Sequence, residues 1–184
     1  IADLSVANFN VSYEIGYAIG CGKPVLLVRN KSVDEGPIKL QDIGLFDTIG
    51  YSEYENSETL KRAIAAGPSP RPLLVNVDLN LGAPIYTVEP RHKSDYIIRI
   101  RSRLERAWMT TRTYDPQETP RLSSWEAIEQ VSQSYGVLVP LLSRNMADHF
   151  VHNMRAALIA GLASGMKKPV MILQDALEQP VPLD

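Results

Sequence analysis

The tightest constraint on this chain is a helix that carries two glycines four residues apart and runs straight into a Pro-led apolar strand. Residues 10–25 read NVSYEIGYAIGCGKPV. Asn8 and Asn10 are helix-start residues, because a short amide side chain accepts the first free backbone N–H groups. The helix is expected to run to Cys21, with Gly22 as its C-terminal cap and Lys23-Pro24 ending it. Val25 to Val28 is a continuous apolar run, the pattern of a strand covered on both faces. A glycine inside a helix costs about 1 kcal/mol relative to alanine. Gly16 and Gly20, lining one face, therefore predict close packing of another backbone there.

The same unit returns. Shifted by 145 residues, NVSYEIGYAIGCGKPVLLVRN (10–30) falls on RAALIAGLASGMKKPVMILQD (155–175). Gly16, Ala18, Gly20, Lys23, Pro24 and Val25 recur as Gly161, Ala163, Gly165, Lys168, Pro169 and Val170. In the second copy the matched helix follows strand, helix, strand, helix and strand. In the first copy only the tail of a strand, Ile1 to Val6, precedes it. The first copy is expected to lack roughly 50 residues of its α/β unit, judged from the second.

Between these segments the pattern alternates. Asp34 to Phe46 reads as a loop with one turn of helix, Asp47 to Tyr51 as a short strand, and Glu58 to Ala66 as a helix closed by Gly67. Pro68, Pro70 and Pro72 make a stiff linker. Ile85 to Val88 is a strand. Asp95 to Trp108 is a helix with Ile97, Ile100, Leu104, Ala107 and Trp108 on one face. Thr110 to Tyr114 is a strand rich in β-branched residues. Ser123, with Glu126 three residues on, opens a further helix in a capping box. Gly136 to Leu142 is a buried strand, Val151 to Met166 a helix, and Val170 to Leu173 a final buried strand. Such alternation implies parallel βαβ units with right-handed crossovers. The expected organisation is 1–67 as the C-terminal part of one α/β unit, 68–83 as linker, and 84–184 as a second, degenerate copy.

The totals exclude several classes of function. Over 184 residues the net charge is −2, which gives no bulk electrostatic reason to expect nucleic acid or an acidic membrane as partner. No apolar run approaches the roughly 18 residues a membrane helix needs. The single cysteine, Cys21, suits a reducing cytosol. A cytoplasmic protein is expected, and the chain opens Ile-Ala-Asp without Met, so its true start is expected upstream. No P-loop, G-x-G-x-x-G or G-x-S-x-G occurs.

Read as D-L-S-x-x-N-x-N-V-x-Y-E-I-G-Y-A followed by G-K-P-V, the first copy resembles the nucleoside 2-deoxyribosyltransferase-like family and the related TIR-like nucleotide-binding proteins. The resemblance is firm over about 25 residues and implies flavodoxin-like parallel sheets flanked by helices. It also implies that Glu14 attacks the anomeric carbon of a nucleoside and holds the sugar covalently. No cofactor and no metal are implied. Asn8 stands where the family carries an acid. That departure points away from deoxyribosyl transfer in the strict sense and toward a related glycosidic-bond or nucleotide-binding role.

At about 100° per residue, Glu14 shares its helix face with Asn10, Val11, Ala18 and Cys21. A carboxylate on this small face either reaches a pocket or is buried at a cost. The positive end of the helix favours its ionised form, and a glutamate there can also serve simply to complement the dipole. Displacement at a sugar carbon by a carboxylate follows retaining logic, and a second group must protonate the leaving base. Asp3, at the end of its strand, is the visible candidate, with a turn or cap aspartate as the structural alternative. Tyr13, Asn8 and Asn10 could orient sugar hydroxyls. The expected partner is a nucleoside, nucleotide or NAD-like molecule, and the protein is expected to be a homo-oligomer.

In the second copy Ile159 replaces Glu14 and Leu158 replaces Tyr13, so that half is expected to pack, dimerise or bind a ligand without turnover. The leading reading is an N-glycosidic-bond hydrolase or transferase acting through Glu14. The alternative is a non-catalytic nucleotide-binding sensor or scaffold. Three further features read as structural. His149 and His152 beside Asp148 are exposed loop histidines, since no Cys or Glu cluster supports a metal. Arg99, Arg103 and Arg106 are a solvated helix face. Cys21 is a buried thiol at the wrong helix end for activation. Arg112, Asp115 and Arg121 border strand ends and could line a vestigial pocket.

Overall fold

Two parallel sheets share one hydrophobic core. The computed structural model describes residues 1–34, 39–67 and 77–174. Most of the Pro-rich linker, part of the 34–46 loop and the tail after Gln174 lie outside the described residues.

The first half holds β1 (Ala2–Asp3), α1 (Phe9–Gly20), β2 (Leu27–Asn30), α2 (Leu40–Ile43), α3 (Phe46–Ile49), β3 (Ser52–Tyr54) and α4 (Ser57–Ala66). Its three-stranded parallel sheet has the order β1-β2-β3. The second half holds β4 (Ile85–Val88), α5 (Asp95–Arg106), β5 (Thr111–Tyr114), α6 (Ser124–Ser132), β6 (Gly136–Leu141), α7 (His149–Gly165) and β7 (Val170–Gln174). Its four-stranded parallel sheet runs β5-β4-β6-β7. Counted from β4, that is the 2-1-3-4 order of a flavodoxin-like fold. The protein is therefore α/β, with parallel sheets flanked by helices. Among the described residues no helix is long and apolar enough to cross a membrane.

Local chemistry sets the ends of α1. Asn8 is the N-cap, and its side chain accepts the Asn10 N–H at 2.8 Å. Past the helix Gly22 takes φ 68°, its N–H donates to Ile19 O at 2.8 Å, and Lys23 N–H returns to Ala18 O at 2.9 Å. This turn satisfies the last carbonyls, and glycine suits its left-handed position. Asn56 caps α4, and Ser123 caps α6 by accepting the Glu126 N–H at 3.0 Å.

The two halves meet along α1 and α7, with α1 resting on β1 and α7 on β6 and β4. A Cβ on Gly16 would overlap Leu158 O and lie 2.9 Å from Leu162 N. Reciprocally, a Cβ on Gly161 would overlap Tyr13 O and lie 2.9 Å from Tyr17 N. Gly20 faces Leu162 and Gly165 faces Tyr17 in the same way. Each contact has a counterpart displaced by 145 residues, the reciprocal pattern of a two-fold contact. Ser12 Oγ donates to Met154 O at 2.8 Å across the seam.

Several expectations are corrected. The strand placed at Asp47–Tyr51 is the helix α3, and the strand follows at Ser52–Tyr54. Leu45 and Phe46 are fully buried, and Gly50 at φ 81° turns the chain into β3. Trp108 is not on the apolar face of α5 but 94 % exposed, because the helix ends at Arg106 and Trp108 takes φ 55°. Met171 and Ile172 are exposed, so the last strand is not buried; among the described residues β7 pairs only with β6. Cys21 is exposed at the C-cap of α1, with Sγ 3.7 Å from Gly165 O.

Candidate functional site

Parallel α/β sheets place ligands at the C-terminal ends of their strands, where the strand order reverses. Both sheets present a C-terminal edge, and among the described strands the reversal lies in the second, at β4.

At the edge of the first sheet, Asp3, Asn30 and Tyr54 end β1, β2 and β3. Asp3 Oδ1 accepts the Ser5 N–H at 2.8 Å and also the Ser5 hydroxyl. Asp3 Oδ2 accepts the Tyr54 hydroxyl at 2.5 Å. Ser5 Oγ in turn accepts the Asn30 N–H at 2.7 Å, so three strand ends are tied together. Partial burial pushes the Asp3 carboxyl up, but the hydrogen bonds from Ser5 and Tyr54 prevail and hold it below its usual value. This is the state of an acceptor or a nucleophile, and it fits poorly with donating a proton to a leaving base.

Glu14 lies on the sixth residue of α1, and the first turn of that helix carries no acid. The expected support from the helix dipole falls off before this position. The Glu14 side chain is exposed rather than pocketed or buried, and it forms no hydrogen bond or ion pair with any described residue. Tyr13 is half-buried, its ring 6.4 Å from that of Tyr17, and its carbonyl faces Gly161. Asn8 spends its side-chain oxygen on the α1 cap. Asp3 and Asn8 thus flank the β1–α1 turn together, whereas Glu14 stands further along the helix. No hydrogen bond joins it to Asp3, Asn8, Asn10 or Tyr13.

The second sheet bears a cleft of about 530 Å³. It opens at the end of β4, with β5 on one side and β6 on the other. Glu89, Arg91 and His92 line it from the loop after β4, and Pro116, Gln117 and Pro120 from the stretch after β5. Asp148, Val151, His152 and Arg155 enter from the start of α7, and Asp42 from α2 of the first half. Gln117 Nε2 donates to Arg91 O at 2.7 Å and ties the two loops.

Three buried polar side chains shape this cleft. Glu89, 8 % exposed, is ion-paired with Arg101 of α5. His152, 5 % exposed, donates from Nε2 to Pro140 O at 2.7 Å. Burial pushes its imidazole down to about 4, so the ring is neutral at neutral pH. Arg155, also 5 % exposed, donates from Nε to Ile43 O at 2.9 Å, and from one terminal nitrogen to Pro120 O at 3.0 Å and Asp42 O at 3.4 Å. Its guanidinium lies 5.5 Å from the centre of the Tyr114 ring. Burial pushes this guanidinium down, and the neighbouring Tyr114 and Asp148 offset part of that effect.

His149 and His152 are helical, not exposed loop residues; His149 Nδ1 lies 2.9 Å from Met146 O. Arg112 does not line this cleft: its guanidinium donates to Gln133 Oε1, Gln130 O and Ser134 Oγ at 2.6, 2.9 and 2.7 Å. It anchors the end of α6. Asp115 Oδ1 accepts the Gln117 N–H at 2.8 Å, and Arg121 packs against Gly44. Arg99, Arg103 and Arg106 are exposed, as a solvated face requires.

Sequence reasoning missed Glu89, Arg91, His92 and Arg155. One local signal could have found them: E-P-R-H directly follows the strand IYTV, in the loop that borders ligands in such folds. A second is the lone Arg155 in the otherwise apolar run MRAALIAGLA. Comparison of the chain with family models, curated proteins and solved structures gives no match.

Proposed function

We propose that this chain is a nucleotide-binding α/β module that takes a nucleoside, nucleotide or NAD-like molecule in the cleft beside β4, without turnover, as a sensor or scaffold. The observation that carries the reading is the position of the cleft. It occupies the point where the strand order reverses, and its volume of about 530 Å³ falls in the range of small-molecule sites. Arg91 and Arg155 suit phosphate, carboxylates suit sugar hydroxyls, and Pro116, Pro120 and Val151 offer an apolar wall to a base. Glu89 and His152 are both engaged within the protein, which favours binding over acid–base chemistry. The test is calorimetric titration with nucleosides, nucleotides and NAD, with chromatography for free base in the same samples. Binding without free base is expected, and absence of binding by all of them sinks the reading. The same reading places a homo-oligomer in the cytoplasm, with light scattering as the check on assembly.

One observation favours a second reading, N-glycosidic hydrolysis or deoxyribosyl transfer through Glu14. Its carboxylate is exposed and unpaired among the described residues, and so is available as a nucleophile. Asp3, Asn8, Asn10 and Tyr13 would then hold the sugar. Release of free base that is abolished by Glu14→Gln supports this reading, and release that survives the substitution refutes it.

A further inference from the structure

The cleft beside β4 holds a buried cation that is bonded to no carboxylate among the described residues. Arg155 is 5 % exposed, yet every hydrogen bond it makes to a described residue is to a backbone carbonyl: Ile43, Asp42 and Pro120. Carbonyl oxygens fix the guanidinium fork but leave its full charge in place. No carboxylate around the cleft bonds to Arg155, although Asp148 acts on it through space. Glu89 is paired with Arg101. Asp42 Oδ2 accepts the Lys39 N–H at 3.0 Å, as part of the α2 cap. Asp148 Oδ2 lies 3.7 Å from His92 Nε2. Arg91 is exposed at the same cleft, and its guanidinium forms no hydrogen bond or ion pair with any described residue. The first turn of the 17-residue helix α7 also faces the cleft through Val151 and His152, adding the positive end of its dipole. Burying a charge is costly unless it is paired, so a buried arginine without a carboxylate marks a place for an incoming anion.

We infer that the cleft takes a phosphorylated nucleoside whose phosphate sits on Arg155 and Arg91, with the first half of the chain completing the anchor. The inference rests on reading the cleft as a nucleotide site. It adds which end of the ligand is recognised, and by what. The contribution of the first half is specific: the carbonyls of Asp42 and Ile43, in α2, aim a guanidinium that belongs to α7. A guanidinium fork matches phosphate oxygens in a way an ammonium does not.

The test uses the full chain. Nucleosides and their 5′-monophosphates with the same base are titrated calorimetrically, alongside inorganic phosphate and pyrophosphate. The expected result is monophosphate binding on the order of 10- to 100-fold tighter than nucleoside binding, the range of a charge-assisted contact. Arg91→Ala should remove about tenfold of that advantage. Arg155→Lys, checked for folding by circular dichroism, should remove more. Because Arg91 is exposed, its variant keeps the test decisive even if the Arg155 variant fails to fold. Equal affinity for nucleoside and monophosphate overturns the phosphate anchor and leaves the cleft reading standing. A preference that is undiminished in Arg91→Ala places the phosphate elsewhere and also overturns it. Pyrophosphate binding that is lost in Arg91→Ala, without nucleotide binding, keeps the anion site and removes the nucleotide. Binding of no compound overturns both readings.

Discussion

Replacing Gly161 by alanine tests the seam on which the two halves rest. On propensity alone the change should stabilise α7 by about 1 kcal/mol, because a helix-interior glycine is that much worse than alanine. The geometry predicts the opposite sign. The added Cβ would overlap the Tyr13 carbonyl oxygen and lie 2.9 Å from both Tyr13 C and Tyr17 N. These are backbone atoms of a packed helix, so no side chain can swing away. Carbon meets oxygen comfortably at about 3.3 Å or more, so α1 and α7 must separate by roughly 1 Å. A gap of that size forfeits a quarter to a half of the dispersion energy of each contact it opens. Overpacking of this kind costs about 1–3 kcal/mol. Set against the propensity gain, the net loss is at the upper end about 2 kcal/mol, which in a chain of this size lowers Tm by about 4–8 °C. Urea denaturation and differential scanning calorimetry read the effect directly. The double variant Gly16→Ala with Gly161→Ala should lose less than the sum of the singles, because one separation relieves both clashes. A Gly161→Ala protein more stable than the parent would refute the close approach.

Two further outcomes follow from buried polar groups. His152 is neutral in the fold at about 4 and ordinary, near 6.5, when unfolded. The unfolded chain therefore binds the extra proton first, and stability falls as pH drops from 6.5 to about 4. The contribution is about 3 kcal/mol, present in full above the unfolded value and gone below the folded one. Urea midpoints measured across that window should fall more steeply for the parent than for His152→Gln, and parallel profiles would contradict the assignment. Asn153 accepts the Leu142 N–H and donates to Leu142 O, both at 2.9 Å and both buried. Asn153→Leu leaves two buried backbone groups unpaired, at about 3 kcal/mol together. A loss under about 1 kcal/mol by calorimetry would show that the strand end re-pairs.

The local architecture was legible where a cap or a period announces it. The sequence places Ile85–Val88 to the residue, and Asn8, Gly22 and Ser123 mark helix ends through hydrogen bonds that each needs only a few neighbouring residues. The short apolar stretch around Phe46 was misread, because a few apolar residues carry no period that separates a turn of helix from a strand. Periodicity carried past Arg106 puts Trp108 on the apolar face, and the helix-end position of Cys21 reads as a buried thiol, whereas the helix end at each point carries the side chain outward. The glycine seam was legible too. Glycine inside a helix is a cost with no local benefit, and so announced a partner before the partner was known.

The candidate site was mostly illegible. Glu14 drew attention as a carboxylate in a suggestive motif, but whether it faces a cavity depends on what packs beside α1, and it faces solvent. The cleft is assembled from Asp42, Glu89, Gln117, Asp148 and Arg155, which lie far apart along the chain. No period, cap or spacing links them. The sequence by itself determined the helix–strand units and the glycine faces, because those rest on interactions within a few residues. Only the tertiary structure decided that Arg155 is buried on the carbonyls of α2 and that the cavity opens beside β4, because burial and enclosure are properties of the space between elements.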